Sequence, residues 1–572
     1  MYNREARWIG LAVELVGLGT LASCVLPEWR DRLRLVNDVF TPELTGAASG
    51  LAALAGVTLV LVGRGVAGRR RIAWLVAVLS LGAATVAHLI KGLDVEPAVV
   101  TAACIGILVW RRELFVVQLG PARGVKVVRV ALLALTTDLA YGVAGLLLHR
   151  RVIEPDLTIG NTLAQVGARL VGLRGPLTLE GRFGHWFPIS LTGLGLLTMV
   201  AVLSAVLAPI ALAGSGSESE LAEARALTDR PDGDTLDPFV LRRDKRRVFS
   251  IDRQAVVGYR YVRGIGLAAG DPVGEPSAFR SALAEFLELC TRLGWRPAII
   301  GVREDRLPLY LEAGLRVLYI GDEAIIDVPQ FDLGGRPMRN ARQGVQRSHN
   351  AGISTEFRRE GELDPGLRNE LLEISDAQLD GQREFGFSMT LGGMFSGDHP
   401  DCLVAIARDQ QGRPVAFQRY LPCRGGKALS LDIMRRCPTA PNGVNERLIV
   451  DSVDWARKRE LEEVSLNFAA FRDLLDEGAT PGAVGAAMAR VLQSFDGRLG
   501  LQLDTLRRFN AKFRPRWVRR YVVYQAHTDL PAVGVAALSA EGFLPLDPGR
   551  ERPALPVPEQ IAGTGPTLSR RQ

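Results

Sequence analysis

An N-terminal α-helical transmembrane bundle of about six helices, followed by a C-terminal α/β region, is the fold class the sequence predicts. Three observations carry it. Hydrophobic residues form 47% of the 572-residue chain and mean hydropathy is positive, yet charged residues still reach 23%. Average charge and high hydropathy coexist when one part of a chain is apolar and the other polar. The long apolar runs end near residue 213, and beyond it the periods of strands and helices take over.

The apolar runs are Trp8–Leu26, Glu43–Gly63, Ile72–Ile90, Pro97–Trp110, Val130–Leu148 and Phe187–Ala213. A helical crossing needs about 20 mostly apolar residues. The Pro97–Trp110 run is short and reaches that length only through Leu114–Leu119. Glu14 in the first run, with no small-residue cleavage site after it, argues against a removable signal peptide. Lys and Arg are retained on the cytoplasmic side of short loops. Arg4 and Arg7, then Arg64 and Arg69–Arg71, then Arg111, Arg112, Arg123, Lys126 and Arg129 fall on one side if there are six crossings. The polar part then starts in the cytoplasm, at the plasma membrane. The arginines between His149 and Trp186 run against this rule. Asp138 lies mid-membrane beside Thr136, Thr137 and Tyr141; it is either functional or hydrogen-bonded to a neighbouring helix. Glu14 is expected to snorkel.

The six cysteines show no CxxC spacing and the six histidines no ligand pattern, so no metal, no cofactor and a reducing compartment are expected. The domain reading is 1–213 membrane, 214–238 linker, 239–335 and 361–544 two α/β units, 336–360 a basic connecting helix, and 545–572 a disordered tail. Strands at Val248–Ser250, Ala255–Val262 and Ile265–Ala268 precede a helix opening at Ser277, whose Phe279, Leu283, Phe286, Leu287 and Cys290 share a face. A strand Ala298–Val302, a helix around Leu307–Ala313 and strands near Val317–Ile320 and Ala324–Val328 follow. The second unit has a helix Pro365–Leu379, then strands Leu403–Ala407, Val415–Leu421 and Ala428–Met434. A helix Asn445–Arg459, a strand Val464–Phe468, further helices and a strand Tyr521–Tyr524 complete it. Three strands, helix, strand, helix, strand is the order of the acetyltransferase-like (GNAT) fold, so two tandem GNAT-like folds are expected. No good match to the loop that cradles coenzyme A is present, so the fold analogy carries no acetyl-CoA chemistry.

Two runs are basic and free of acids. Gly335–Asn350 holds Arg336, Arg339, Arg342 and Arg347, the first three spaced for one helix face. Thr505–Tyr521 holds Arg507, Arg508, Lys512, Arg514, Arg516, Arg519 and Arg520, with Phe509, Phe513, Trp517 and Tyr521 every four residues. Such runs suit a polyanion, RNA or anionic headgroups. The aromatics suit unpaired tRNA bases or, as their spacing favours, the domain's own core.

Several motifs stand in order along the polar part: Leu236–Ser250 (LDPFVLRRDKRRVFS), Gly270–Gly274 (GDPVG), Gly321–Val328 (GDEAIIDV), Gly386–Met389 (GFSM), Leu431–Arg436 (LDIMRR) with Pro441–Gly443 (PNG), Ser465–Ala469 (SLNFA) and Phe509–Tyr521 (FNAKFRPRWVRRY). Together they resemble the synthase domain of the multiple-peptide-resistance-factor family, the phosphatidylglycerol lysyltransferases. They are similar above all to the actinobacterial branch that includes two-domain lysyltransferase–lysyl-tRNA synthetases. Lys91–Val95 (KGLDV) looks like that branch in the membrane part. The resemblance implies a cytoplasmic aminoacyl-tRNA donor, with lysine the expected amino acid, and an anionic lipid acceptor, usually phosphatidylglycerol. Homo-oligomerisation is left open. The chain ends soon after the resemblance does, so no fused lysyl-tRNA synthetase is expected. Six crossings are also fewer than in the large members that add a lipid-flipping domain.

Asp432 and Arg435 match family positions associated with activity. Asp432 is expected to hold the donor's α-ammonium or accept the acceptor hydroxyl's proton, and Arg435 to hold the lipid phosphate, which its planar fork suits. The alternative is a structural Asp–Arg pair at a strand end. Lys512 is expected to clamp the tRNA terminal phosphate or stabilise the oxyanion, and Asn467 to donate to the ester carbonyl. Arg336, Arg339, Arg342, Trp517 and Arg520 complete the expected substrate-binding set, while Asn442 and Glu446 read first as capping residues. Other functional readings are an aminoacyltransferase acting on a cell-wall lipid precursor, a flippase or transporter with a regulatory cytoplasmic domain, and a noncatalytic tRNA-binding membrane protein.

Overall fold

A computed structural model describes residues 4–25, 42–92, 95–115, 121–207, 216–379, 386–468 and 507–542. The helices expected between 469 and 506, the tail after 544, and Arg383 and Glu384 lie outside the described residues.

The membrane part contains α1 (Arg4–Val25), α2 (Pro42–Ala67), α3 (Arg71–Gly92), α4 (Val95–Trp110) and α5 (Pro121–Leu148). A two-residue strand β1 (Ile153–Glu154), helix α6 (Ile159–Leu170), its partner strand β2 (Thr178–Leu179) and helix α7 (Gly181–Leu207) follow. Among the described residues, five helices are long and apolar enough to cross a membrane, and α4, with 16 residues, is shorter. Glycines set the α1–α2 spacing: a Cβ on Gly10 would stand 2.6 Å from the Gly63 carbonyl oxygen, and one on Gly17 2.8 Å from that of Gly56. Without a hydrophobic drive between helices in lipid, such close backbone approach supplies the packing. Asp138 is buried and accepts from Thr198 Oγ1 on α7 at 2.7 Å, the interhelical hydrogen bond that was one of its two readings.

One end of this bundle collects the basic groups. Arg69 Nε donates to the Leu114 carbonyl at 2.7 Å, and Arg111 lies 3.7 Å from Glu5. The same end meets the α/β domain, where Arg7 pairs with Asp529 at 3.0 Å. Arg70 Nη2 lies 3.2 Å from the place a Gly294 Cβ would take. The His149–Glu180 segment is at the far end, across the length of α5. There α6 begins on a reciprocal Thr158–Asn161 capping box and packs Val166 on Gly142 of α5.

The α/β domain begins inside the expected linker. Helix α8 (Glu218–Thr228) lies within 214–238 and opens on a Ser217–Glu220 capping box. That segment is therefore partly folded, because its polar residues cap a helix and, as shown below, pair with a buried cation. Then come β3 (Arg246–Phe249), β4 (Ala255–Val262), β5 (Ile265–Ala269), β6 (Val273–Gly274), α9 (Phe279–Leu293), β7 (Arg296–Arg303), α10 (Leu307–Glu312) and β8 (Arg316–Asp327). Helix α9 buries Phe279, Leu283, Phe286 and Cys290 and stops at Gly294, whose φ of 69° suits glycine. A short 3-10 turn, Pro276–Ala278, precedes it in place of a Ser277 cap.

The second half comprises α11 (Arg339–Asn350), β9 (Ser354–Arg359), α12 (Pro365–Leu379), β10 (Leu403–Arg408), β11 (Pro414–Cys423), β12 (Ala428–Arg436), α13 (Val444–Arg457), β13 (Glu463–Phe468), β14 (Arg516–Tyr524) and α14 (Leu530–Glu541). The connecting helix is thus shorter than 336–360. Gly352, at φ 73°, follows its end, and the chain continues as strand β9. Arg336 precedes the helix, so it does not share a helical face with Arg339 and Arg342.

Both halves share one sheet in the order β3-β4-β5-β7-β14-β8-β13-β12-β11-β10-β9, with β6 beside β4. Pairing is antiparallel except at β5–β7 and β12–β13. The halves exchange their last strands. β8 leaves the first half to pair with β13, β14 leaves the second to pair with β7, and the two pair with each other at the centre. Cysteines placed singly at exposed Glu154 and exposed Gln411 should react with an impermeant maleimide from opposite sides of the membrane; labelling of both from one side would refute this arrangement.

Candidate active site

The exchanged strands carry a buried charge network. Arg520 on β14 has no exposed surface and donates through Nη1 to Asp234 Oδ2 at 2.6 Å, through Nη2 to Asp234 Oδ1 at 2.8 Å and through Nε to Glu323 Oε2 at 3.0 Å. Glu323 on β8 also accepts from Thr235 Oγ1 at 2.6 Å and from Ser465 Oγ on β13 at 2.5 Å. Burial raises the Asp234 carboxyl, but the Arg520 guanidinium outweighs it and holds the group below the usual carboxylate range. Burial and the nearby Asp234 charge push Asp237 well above that range, and burial takes Asp271 up to about 6. Arg520 was expected at a substrate surface. The structure corrects that: it is the cation that balances the acids of the GDEAIIDV motif and of the supposed linker.

From Ser465 the chain turns into the second network. Ser465 Oγ accepts from the Asn467 amide at 3.0 Å, and Asn467 has φ 68°, uncommon for a non-glycine residue inside a strand. Its Nδ2 donates to the Met389 carbonyl at 2.8 Å and the Leu431 carbonyl at 3.0 Å, which holds the strained conformation in place. Next to Leu431, the β11–β12 register slips and Asp432 is the unpaired extra residue, a β-bulge that re-aims its side chain. Asp432 Oδ1 accepts from the Leu391 amide at 2.7 Å and Oδ2 from Arg419 Nη1 at 2.6 Å. Arg419 is fully buried and its Nε donates to Glu360 Oε2 at 2.7 Å. The alternative of a structural Asp432–Arg435 pair is therefore not what the strand end holds: the ion partner of Asp432 is Arg419. Arg435 lies three residues on, about 10 Å along an extended strand, and its Nε donates to Ser375 on α12 at 3.2 Å.

The segment Phe387–Leu391 is held from several directions. Besides Asp432 and Asn467, Glu541 at the end of α14 accepts from the Phe387 amide at 2.7 Å and the Ser388 amide at 3.1 Å. Arg242 Nη1 donates to the Thr390 carbonyl and Oγ1, both at 2.9 Å. Lys245, wholly buried, donates to the Phe239 carbonyl at 2.8 Å and sits 4.7 Å from the Phe387 ring centre; burial takes its ammonium down to about 7. Behind Arg419, His399 Nδ1 lies 3.3 Å from Arg225 Nη2. Burial and then the Arg225 charge take that imidazole down to about 3.

The other expected residues form a separate, more open group. Lys512 pairs with Glu446 at 2.9 Å in the first turn of α13, where Gly344 of α11 packs so closely that its Cβ would stand 3.1 Å from Glu446. Arg336, Arg339 and Arg342 are exposed, and Arg342 Nη1 donates to the Gly335 carbonyl at 3.1 Å. Phe513 is buried, and Phe509 and Trp517 pack against the same core, with Arg507 5.4 Å over Trp517. Their four-residue spacing does not mark one helix, because Pro515 intervenes and Trp517 already belongs to β14. Sequence reasoning missed Arg419, Glu360 and Glu541. Buried partners distant in sequence leave no local pattern, and Glu541 lies outside every motif.

A family model described as "Phosphatidylglycerol lysyltransferase, C-terminal" matches residues 224–524. The "Lysylphosphatidylglycerol biosynthesis bifunctional protein LysX" of Mycobacterium marinum is 35% identical over 532 residues, covering 89% of this chain and 47% of its own. That of Mycobacterium avium is 33% identical over 599 residues, covering 98% and 49%. The chain thus spans about half the length of the curated relatives it matches. The solved structure of L-PGS from Bacillus licheniformis aligns with a TM-score of 0.48 at 23% identity, covering 58% of this chain and 98% of that one.

The His399 imidazole supplies a pH test. Its folded pKa lies below the unfolded 6.5, so the folded state binds fewer protons and stability falls as pH drops from 6.5 toward 3. At pH 5 this costs about 2 kcal/mol. His399→Gln keeps an acceptor for Arg225 and should melt with a smaller drop between pH 7.5 and 5.0. Equal drops in both proteins would mean that His399 titrates normally.

Proposed function

We propose a lipid aminoacylation for this chain, which belongs to the phosphatidylglycerol lysyltransferase family. An amino acid, lysine, passes from the 3′ ester of a charged tRNA to the free hydroxyl of phosphatidylglycerol at the cytoplasmic face of the plasma membrane. The lipid hydroxyl attacks the ester carbonyl, a tetrahedral oxyanion forms, and the C–O bond to the tRNA ribose breaks. The hydroxyl proton ends on the leaving ribose oxygen. With lysine the headgroup changes from one negative charge to one net positive charge. The observation that carries this reading is convergence: Arg242, Asp432 and Asn467, from three motifs far apart in sequence, all close on Phe387–Leu391. The two halves, 239–335 and 361–544, are read as tandem GNAT-like folds, which their strand order supports.

Ester-to-ester transfer between two large substrates depends above all on alignment. Asp432 and Asn467 act here as positioning residues, because their polar atoms are taken by Leu391, Arg419, Met389 and Leu431. Contact with substrate falls to groups with exposed surface. Arg435 holds the lipid phosphate, Lys512 the tRNA terminal phosphate or the oxyanion, and Arg336, Arg339 and Arg342 the tRNA backbone. Trp517 lies beside that surface.

Mass spectrometry of lipids from cells expressing the chain should reveal lysylphosphatidylglycerol, and ribonuclease should abolish its synthesis by purified protein. Synthesis that survives ribonuclease would exclude the tRNA donor. Neutralising Arg336, Arg339 and Arg342 together should raise KM for charged tRNA and flatten the log–log salt dependence of binding by about 0.7 to 0.9 per lost phosphate contact. An unchanged slope would clear this surface of that role.

Asp432→Asn should lower kcat by about a hundredfold, the scale of a small misplacement at the reacting centre. Its amide can still accept from Leu391 but offers Arg419 a donor, so the melting temperature should fall as well. A stable Asp432→Asn protein with wild-type turnover would separate Asp432 from the reaction.

A further inference from the structure

Helix α14 begins and ends on contacts of different kinds. Asp529, immediately before it, accepts from Arg7 of the first membrane helix at 3.0 Å and lies 3.7 Å from Arg296. Arg70, in the turn before α3, approaches Gly294 of the same domain. Glu541, the last residue of α14, takes the Phe387 and Ser388 amides and the Ser388 hydroxyl with its carboxylate, and the Gly386 amide with its carbonyl at 2.8 Å. Between these ends the helix is about 18 Å long at 1.5 Å per residue. Leu530, Val533, Ala536, Ala537, Leu538 and Ala540 are buried in the first-half core. A helix buried over most of its length, with Pro531 alone exposed, is held by close packing and transmits displacement rather than absorbing it. It also lies beyond residue 524, where the family match stops.

We propose that Glu541 is a positioning residue for the transfer reaction, and that α14 is a strut through which the membrane bundle sets the place of the Phe387–Leu391 segment. The proposal rests on reading that segment as the transfer site. The bilayer end of the strut is fixed by Arg7, and its far end fixes the backbone on which Asp432 and Asn467 also close. A domain that moved away from the bundle would therefore lose alignment at the site as well as access to lipid.

The test uses the full chain in phosphatidylglycerol vesicles with charged tRNA. Glu541→Gln should lower kcat at least about tenfold and leave KM for charged tRNA within about twofold, as expected for lost alignment. Amide exchange at Phe387–Leu391 should quicken about tenfold as the local opening free energy falls. Arg7→Gln should quicken the same amides by about threefold, and Arg7→Lys should restore them. If Glu541→Gln fails to fold, Ser388→Ala removes one bond from the same carboxylate and should show the same kcat-only loss at smaller size. A folded Glu541→Gln protein with wild-type kcat, wild-type turnover in Ser388→Ala, or unchanged exchange at Phe387–Leu391 in Arg7→Gln overturns the strut. Absence of aminoacyl lipid from the wild-type protein overturns the function instead; amide exchange, which needs no reaction, then still decides the strut.

Discussion

Arg520 stands where the two halves of the α/β domain exchange their final strands, and it has no exposed surface. Its fork reaches Asp234 from the segment before β3 and Glu323 on β8, while Glu323 takes hydroxyls from Thr235 and from Ser465 on β13. A buried ion group with excellent geometry is held strongly against the loss of one partner, because removal leaves an uncompensated charge in a poorly polarisable interior. The exchange and the charge network therefore enforce each other. Without β14 between β7 and β8, two acids would be buried unpaired; without the acids, a guanidinium would be. The domain is in this sense one folding object, although its strand order repeats.

The same arrangement orders the site. Glu323 fixes Ser465, Ser465 accepts the Asn467 amide, and Asn467 holds Met389 and Leu431 while itself in a left-handed conformation. Register slips cluster here, at Arg520/Tyr521, at Ser465/Phe468 and at Asp432. Bulges turn side chains out of strict alternation. Leu429 and Leu431 pack in the core around α13, whereas Ile433, two residues on, packs in the core around α12. A strand without that slip would direct Asp432 and Ile433 to opposite faces.

Much of this was legible in the sequence, and its failures share one cause. Apolar runs gave the membrane helices, and periodicity gave most strands and α9, α12 and α13, because burial writes its period into the chain. Period identifies a strand but not its neighbour, so the exchange of β8 and β14 left no trace. The polar 214–238 segment reads as a linker by composition, yet its Asp234 is a buried counter-ion. Asp432 and Arg435 stand close in sequence and suggested a pair, whereas the partner is Arg419 on the adjacent strand β11, set by register alone. Arg520 sits among exposed arginines and could not be told from them by type. Three motif residues, Arg242, Asp432 and Asn467, do meet at Thr390, Leu391 and Met389, whereas Glu541, which holds Phe387 and Ser388, carried no motif.

A division of labour follows from exposure. The wholly enclosed charges, Arg520, Arg419, Asp432 and Lys245, end on other protein groups, and a charge so enclosed cannot also meet a substrate without breaking what it holds. Arg435, Lys512 and the α11 arginines keep exposed surface, and solvated cations can exchange water for phosphate at modest cost. That pattern suits the proposed transfer, which depends on aligning two large substrates, and fixed geometry is what buried ion groups and a twice-anchored backbone provide. Lys245, over the Phe387 ring with its ammonium pushed down by burial, belongs with the fixed set. It packs behind the segment, and its nitrogen ends on the Phe239 carbonyl, out of reach of solvent.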